Sequence, residues 1–284
     1  MKLSKIFALL LALCLISSAA CAATFTDAHG NVIELDDSLE AYAAITLVGA
    51  DNAARQGETN LGDLWADALR WFAVSGEINA AFDEDDVKAG NDRIAVDADH
   101  VVALWNGGNL RADIAEGTFG AEALAEVLPF PNKVAVVYMT GAQLLETLEA
   151  ASQGLPYTAE TADACASLMQ VSGLTYTVDT TKAYDALEAY GDHWFTAGSV
   201  SRVRIDDVNG QPFDAEATYA VVTSNANFNG MDSSYVFKAA AEANEQSAVT
   251  TAVVRDVVFR FIAAELNHQV GEAYAAPQGR LTVL

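Results

Sequence analysis

The chain has 284 residues, of which 52% are hydrophobic, with only 19 Gly and 5 Pro, so it can bury one sizeable core and is too apolar for a disordered architecture. Fifteen Lys and Arg face 39 Asp and Glu, a formal net charge of -24, and that field repels polyanions and excludes DNA or RNA as a partner. A small anionic ligand would need a local group of arginines or backbone N–H donors to hold it against the global charge.

At the N-terminus, Lys2 and Lys5 precede an apolar run at 6–16 and then small residues, which is the pattern of a secretory signal peptide over residues 1–22. Ala20-Cys21-Ala22 supplies a small-x-small cleavage site. Lipid anchoring through Cys21 is the lesser alternative, because Ser18 stands where a bulky aliphatic residue is usual. The expectation is therefore an exported protein, periplasmic or extracellular, with no later stretch apolar for long enough to span a bilayer. Cleavage leaves Cys165 as the one remaining cysteine, read as a small core or surface residue without an internal disulfide.

Residues 24–37 read as a hairpin turning at His29-Gly30-Asn31, followed by a buried strand over the apolar stretch 43–49. Leu61, Leu64, Trp65, Ala68 and Phe72 recur at helical spacing, with Thr59 or Asn60 able to cap that helix. The acidic run at 83–86 and the polar residues up to Arg93 read as a solvated loop. The continuous apolar run 101–105 suits a strand buried on both faces that empties into the turn Asn106-Gly107-Gly108. Residues 134–138 repeat the strand character, and Thr140-Gly141-Ala142-Gln143 is a capping box that opens a helix through Leu144, Leu145 and Leu148. Strands are expected at 171–178, 203–208 and 219–223, with Asn209-Gly210 as a hairpin turn, and a last helix at 251–266. No repeat or linker divides the chain.

Five short motifs fall in one order: Glu58-Thr59-Asn60-Leu61-Gly62, Asn106-Gly107-Gly108-Asn109-Leu110-Arg111, Val127-Leu128-Pro129-Phe130, Leu168-Met169-Gln170-Val171-Ser172-Gly173-Leu174 and Gly279-Arg280-Leu281. Together they resemble the C-terminal domain of the 5'-nucleotidase and UDP-sugar hydrolase family. The resemblance implies an α+β fold of mixed β-sheets with packed helices, forming a single domain over residues 40–284 behind an extended segment at 23–39. In that family this domain holds the nucleoside and part of the phosphate, and a separate metallophosphoesterase domain carries two metals and the catalytic groups. The resemblance therefore implies a nucleotide or nucleoside ligand, no cofactor in this chain, divalent metals only in a separately encoded catalytic partner, and a role in nucleotide catabolism or salvage.

By the same resemblance Asn106 bonds the base, Arg111 the phosphate, Phe130 stacks on the base and Asp232 accepts from the ribose. Gly107 and Gly108 would let backbone N–H groups approach an anion, and Arg111 offers a planar charged fork. Read without the family, Phe130 could be core, Asn106 and its glycines a tight turn, and Arg111 a surface cation. The stretch that usually carries a second aromatic reads Asn225-Ala226-Asn227-Phe228-Asn229-Gly230-Met231-Asp232-Ser233, with Ala226 at the aromatic's place unless Phe228 swings in. Gly57 likewise stands where the family often has a cation, while Arg55 remains. Two other functions stay open: a self-contained metal-dependent phosphoester hydrolase using Asp27, His29 and the acidic loop, and a non-catalytic scaffold with a decayed pocket.

Overall fold

The computed structural model describes residues 22–26, 32–36, 40–82 and 94–284. The expected signal peptide up to Cys21, the Asp27 and His29 pair and the acidic run at 83–86 lie outside the described residues. In chain order the elements are β1 (Ala22–Thr26), β2 (Val32–Asp36), β3 (Glu40–Ala43), α1 (Ala53–Gln56), α2 (Asn60–Val74), β4 (Val101–Asn106), β5 (Gly117–Gly120), α3 (Ala121–Val127), β6 (Lys133–Thr140), α4 (Gly141–Ala151), β7 (Met169–Ser172) and β8 (Leu174–Val178). They continue with β9 (Ala186–Ala189), β10 (Phe195–Ala197), β11 (Val203–Val208), β12 (Thr218–Ser224), α5 (Asn225–Phe228), α6 (Tyr235–Ala243), β13 (Ala248–Val253), α7 (Val254–Glu265), β14 (Gln269–Val270) and β15 (Leu281–Val283).

The expected α+β class is what the chain adopts. A five-stranded sheet of order β13-β6-β12-β4-β7 forms its centre, and the period-2 alternation of its strands divides their side chains between two cores. Along β4, Val101, Ala103 and Trp105 enter one core while Val102 and Leu104 enter the other; Val136 and Val137 of β6 and Ala220 and Val221 of β12 divide the same way. On one face lie α2, through Leu61, Leu64, Trp65 and Phe72, and α7, through Val257, Val258 and Phe261. Against the other face pack α4, α6 and the smaller sheet of order β11-β8-β15. Burial on both faces explains why β4 is continuously apolar in sequence, and each fully buried Leu or Phe in these layers is worth about 1.5–3 kcal/mol.

Thr59 caps α2 by accepting from the Gly62 N–H, and Thr140 and Gln143 form the expected capping box of α4. Four boundaries differ from expectation. The stretch 43–49 is not a continuous strand: β3 ends at Ala43, Leu47 makes a single bridge with Ile114, and the Asn60 carboxamide accepts from the Val48 N–H at 2.8 Å and donates to the Thr46 carbonyl at 3.1 Å. Residues 171–178 form two strands, not one, because Gly173 (φ +81) turns the chain from the five-stranded into the three-stranded sheet. Asn209 and Gly210 do form a left-handed turn, but it closes the single bridge Val208–Gln211, since β11 pairs with β8. The last helix begins at Val254, the residues before it being claimed by the pairing of β13 with β6.

Several of the sequence motifs knit the chain end to the start of α2. The Glu58 carboxylate accepts from the Arg280 and Leu281 N–H groups at 2.9 and 3.0 Å. Gln170 accepts from the Thr59 N–H at 3.0 Å and donates to the carbonyls of Ala54 and Gly57 at 3.1 and 2.9 Å; a Cβ at Gly62 would overlap its side chain. Arg280 grips both oxygens of Asp67 at 2.8 and 2.9 Å and donates to the Val171 carbonyl at 2.9 Å, while Tyr274 and Ser172 hydroxyls donate to the same Asp67. Asp63 is fully buried beside this pair, 3.8 Å from Arg280. Burial and then the negative charge of Glu58 push its carboxyl up to about 8 against the pull of Arg280, so Asp63 holds a proton near neutrality.

Candidate functional site

The central sheet is mostly antiparallel, but β4 and β12 are parallel neighbours. Their carboxyl ends therefore emerge at the same edge, the place where an α/β sheet presents loops to a ligand. Asn106 ends β4, and Ser224 ends β12 and caps α5 by accepting from the Asn227 N–H at 3.1 Å. Asn227 is held in turn by the Thr223 and Ser234 hydroxyls at 2.8 and 3.3 Å. This knitting fixes the loop that returns Asp232, in a left-handed conformation (φ +54), to Asn106, whose Nδ2 donates to Asp232 Oδ2 at 3.1 Å.

Beyond a short 3-10 turn at Gly107–Asn109, the Arg111 N–H donates to the Val127 carbonyl at 2.9 Å. That bond ties Arg111 to the end of α3, and Phe130 lies three residues further on. The Arg111 guanidinium sits 5.7 Å from the Phe130 ring centroid, a cation–π arrangement that orients the charged fork. Phe130 is 40% exposed and Arg111 is exposed, so the phenyl ring is not core. The four side chains Asn106, Arg111, Phe130 and Asp232 are thus one cluster, joined by a hydrogen bond, a ring contact and electrostatics.

A fifth residue belongs to it. Arg55 on α1 is only 8% exposed, donates to the Ala162 carbonyl at 2.9 Å and lies 3.9 Å from Asp163. Burial and then the Arg55 charge lower the Arg111 pKa, opposed by Asp232. Burial raises the Asp232 carboxyl, opposed by Arg55, Arg111 and the Asn106 bond. Two guanidiniums therefore meet two carboxylates, Asp163 beside Arg55 and the desolvated Asp232, and Arg111 is the cation of the group without an ion pair among the described residues. The signal in the sequence is an arginine three residues before Glu58, in a stretch otherwise poor in charge.

At Gly107 the turn departs from expectation. The Gly107 N–H is already donated to the Leu168 carbonyl at 2.7 Å, and a Cβ there would overlap the Ala54 carbonyl. At Gly108 a Cβ would lie 2.6 Å from the Ala166 carbonyl oxygen. The bareness of Gly107 lets α1, with Arg55, pack against the end of β4, and that of Gly108 admits the turn carrying Ala166; the Gly107 N–H is not free for an anion. Asn106 is also enclosed, at 2% exposure, with Oδ1 accepting from Asn109 at 2.8 Å, so its carboxamide acts on Asp232. Phe228 does not swing toward Ala226: it packs against the core beneath the sheet.

Two larger hollows lie apart from the cluster. One of about 560 Å³ lies between α3 and α7, and one of about 540 Å³ is lined by Gln56, Glu58, Asn60 and Pro277; neither contains any of the five side chains. Among the described residues no three His, Cys, Asp or Glu are grouped to hold a metal ion, and no helix is long and apolar enough to cross a membrane.

A family model described as the 5'-nucleotidase, C-terminal domain matches residues 40–242. Among curated proteins, the chain is 28% identical over 208 residues to the trifunctional nucleotide phosphoesterase protein YfkN of Bacillus subtilis (strain 168), covering 72% of this chain and 11% of YfkN. Among solved structures it is similar to a 5'-nucleotidase precursor from Thermus thermophilus, with 28% identity and a TM-score of 0.62 over 86% of this chain and 39% of that one. The fold is shared with the Haemophilus influenzae NAD nucleotidase NadN, at 14% identity and a TM-score of 0.57 over 92% of this chain and 48% of that one. The chain spans less than half the length of each of these relatives. On the match over residues 40–242, this chain belongs to the 5'-nucleotidase family through that family's C-terminal domain.

Proposed function

We propose that the chain is an exported nucleotide- or nucleoside-binding domain, residues 40–284 behind a signal peptide at 1–22, serving nucleotide catabolism or salvage. A separate metallophosphoesterase domain supplies the divalent metals and the hydrolysis. The relatives that support this reading are a nucleotide phosphoesterase and a 5'-nucleotidase precursor, each much longer than this chain. The pairing of β14 with β3 and of β15 with β8 supports one domain running past residue 242 to the C-terminus.

One observation carries the ligand assignment: Arg111, Arg55, Asp232 and Phe130 gather at the edge where parallel β4 and β12 end. Arg111, with Arg55 behind it, receives the phosphate through charge-assisted hydrogen bonds. The Asp232 carboxylate, held by Asn106, accepts from ribose hydroxyls, and the exposed face of Phe130 takes the base. The Gly107 N–H is committed to the Leu168 carbonyl, which leaves the Gly108 N–H as the backbone donor that approaches the anion.

Calorimetric titration of AMP, adenosine and UDP-glucose tests this reading. AMP is expected to bind more tightly than adenosine, and Arg111→Ala to weaken AMP about ten- to a hundredfold, the worth of a charged hydrogen bond, while leaving adenosine unchanged. Silence for all three ligands would replace the binding domain with a non-catalytic scaffold.

A further inference from the structure

Arg55 is the more enclosed of the two cations in the cluster, and its own chain leaves it poorly served. A guanidinium has five N–H donors, yet at 8% exposure Arg55 makes one hydrogen bond among the described residues, to the Ala162 carbonyl at 2.9 Å. Its counter-ion, Asp163, stays at 3.9 Å, outside hydrogen-bond reach. The Asp163 side chain is 72% exposed, and its other oxygen lies 3.8 Å from His193 Nε2, on the turn between β9 and β10.

The turn that carries Asp163 is fixed, while the carboxylate is not. The Cys165 N–H donates to the Thr161 carbonyl at 2.9 Å and the Ala166 N–H to the Asp163 carbonyl at 3.1 Å. Cys165 is fully buried, and Ala166 occupies the space that bare Gly108 leaves. Asp163 can therefore leave Arg55 by side-chain rotation alone, without moving the Ala162 carbonyl that holds the guanidinium. Charge gives the reason to leave. Arg55 and Arg111 are already balanced by Asp163 and Asp232, and a phosphate monoester brings a further charge of about -1.5 to -2, which a retained carboxylate would repel.

We infer that Asp163 is an exchangeable counter-ion, holding Arg55 in the ligand-free chain and displaced toward His193 when the phosphate of the ligand takes its place. The inference rests on the nucleotide reading and adds a residue that competes with the ligand. An incoming group gains by the exchange when it carries more charge than the carboxylate it replaces. The site thereby favours the dianion of a phosphate monoester over the single charge of a phosphodiester, and an uncharged nucleoside does not sense Asp163. Asp163 is thus a specificity-determining residue that acts by competition.

The full chain and its Asp163→Asn variant are titrated calorimetrically with AMP, with ribose 5-phosphate, which has no base, and with adenosine, which has no phosphate. Removing the competing charge is expected to tighten AMP and ribose 5-phosphate by the same factor, about two- to fivefold, the worth of an exposed ion pair, and to leave adenosine unchanged. Because the side chain is exposed, the urea unfolding midpoint is expected to stay where it is. Weaker AMP binding by Asp163→Asn would make the carboxylate a support of Arg55, and unchanged binding would make it a bystander; either result overturns the inference while leaving the nucleotide site standing. Equal tightening of adenosine would separate the effect from the phosphate and overturn it as well. Failure of both chains to bind AMP and ribose 5-phosphate would remove the nucleotide reading and the inference with it.

Discussion

Arg280 and Arg111 belong to motifs of the same family, yet they stand in opposite surroundings. Arg280 lies in a closed network: both its bonds to Asp67, its bond to Val171 and the neighbouring Asp63 are made within the chain. Arg111 is exposed, lies over Phe130 and makes no ion pair among the described residues. Bare motif identity does not separate the two; what separates them is whether the chain itself completes the guanidinium's hydrogen bonds. A satisfied, partly buried arginine maintains a fold, and an unsatisfied one at a strand edge waits for an anion.

The largest effect that would sharpen this contrast is on stability. Arg280→Ala takes the cation from the partly buried Asp67 carboxylate, and is expected to cost about 1.5–3 kcal/mol, the worth of hydrogen bonds to a charged group, seen as a large drop in the urea unfolding midpoint. A cost near that of a surface substitution would show the closed network to be incidental.

The next effect is on pH dependence. Asp63 binds its proton more tightly when folded, with a pKa of about 8, than in the unfolded chain, where an aspartate titrates near ~3.9. The folded chain therefore holds the extra proton between these values. Its contribution to stability is complete below the unfolded pKa and is lost as pH rises through about 8. Urea unfolding at pH 5 and pH 9 is expected to show the chain less stable at the higher pH, and Asp63→Asn, which needs no proton, to flatten that slope.

The smallest effect is at the open site. Arg111→Ala removes an exposed side chain and is expected to change stability by no more than about 0.5 kcal/mol, although it weakens AMP. A destabilisation comparable to Arg280→Ala would make Arg111 another structural arginine and break the contrast.

Much of this architecture is legible in the order of the residues. The apolar run 101–105 and the capping box at Thr140 mark correct elements because burial and backbone capping act locally. Asn106, Arg111, Phe130 and Asp232 stand out through family motifs, and they do meet in space. The purpose of Gly107 and Gly108 is hidden, because it depends on the approach of Ala54 and Ala166 from distant parts of the chain. The helix α6 is missing from the expected elements although Val236, Phe237 and Ala240 carry a helical spacing. The β9–β10 hairpin offers no alternation to read, since all four residues of β9 are exposed, and with it goes the approach of His193 to Asp163. Arg55 is visible in the sequence as the cation that remains beside the empty Gly57, but its nearness to Arg111 is not, because that arises only when α1 packs on the turn after β4.

A crystal structure of the chain with AMP is the most direct test of the central claim that the edge beyond β4 and β12 is the ligand site. The account predicts phosphate against Arg111 and Arg55, ribose hydroxyls on Asp232, and the base on the exposed face of Phe130. AMP seated instead in the hollow between α3 and α7, with the Arg111 cluster untouched, would contradict it.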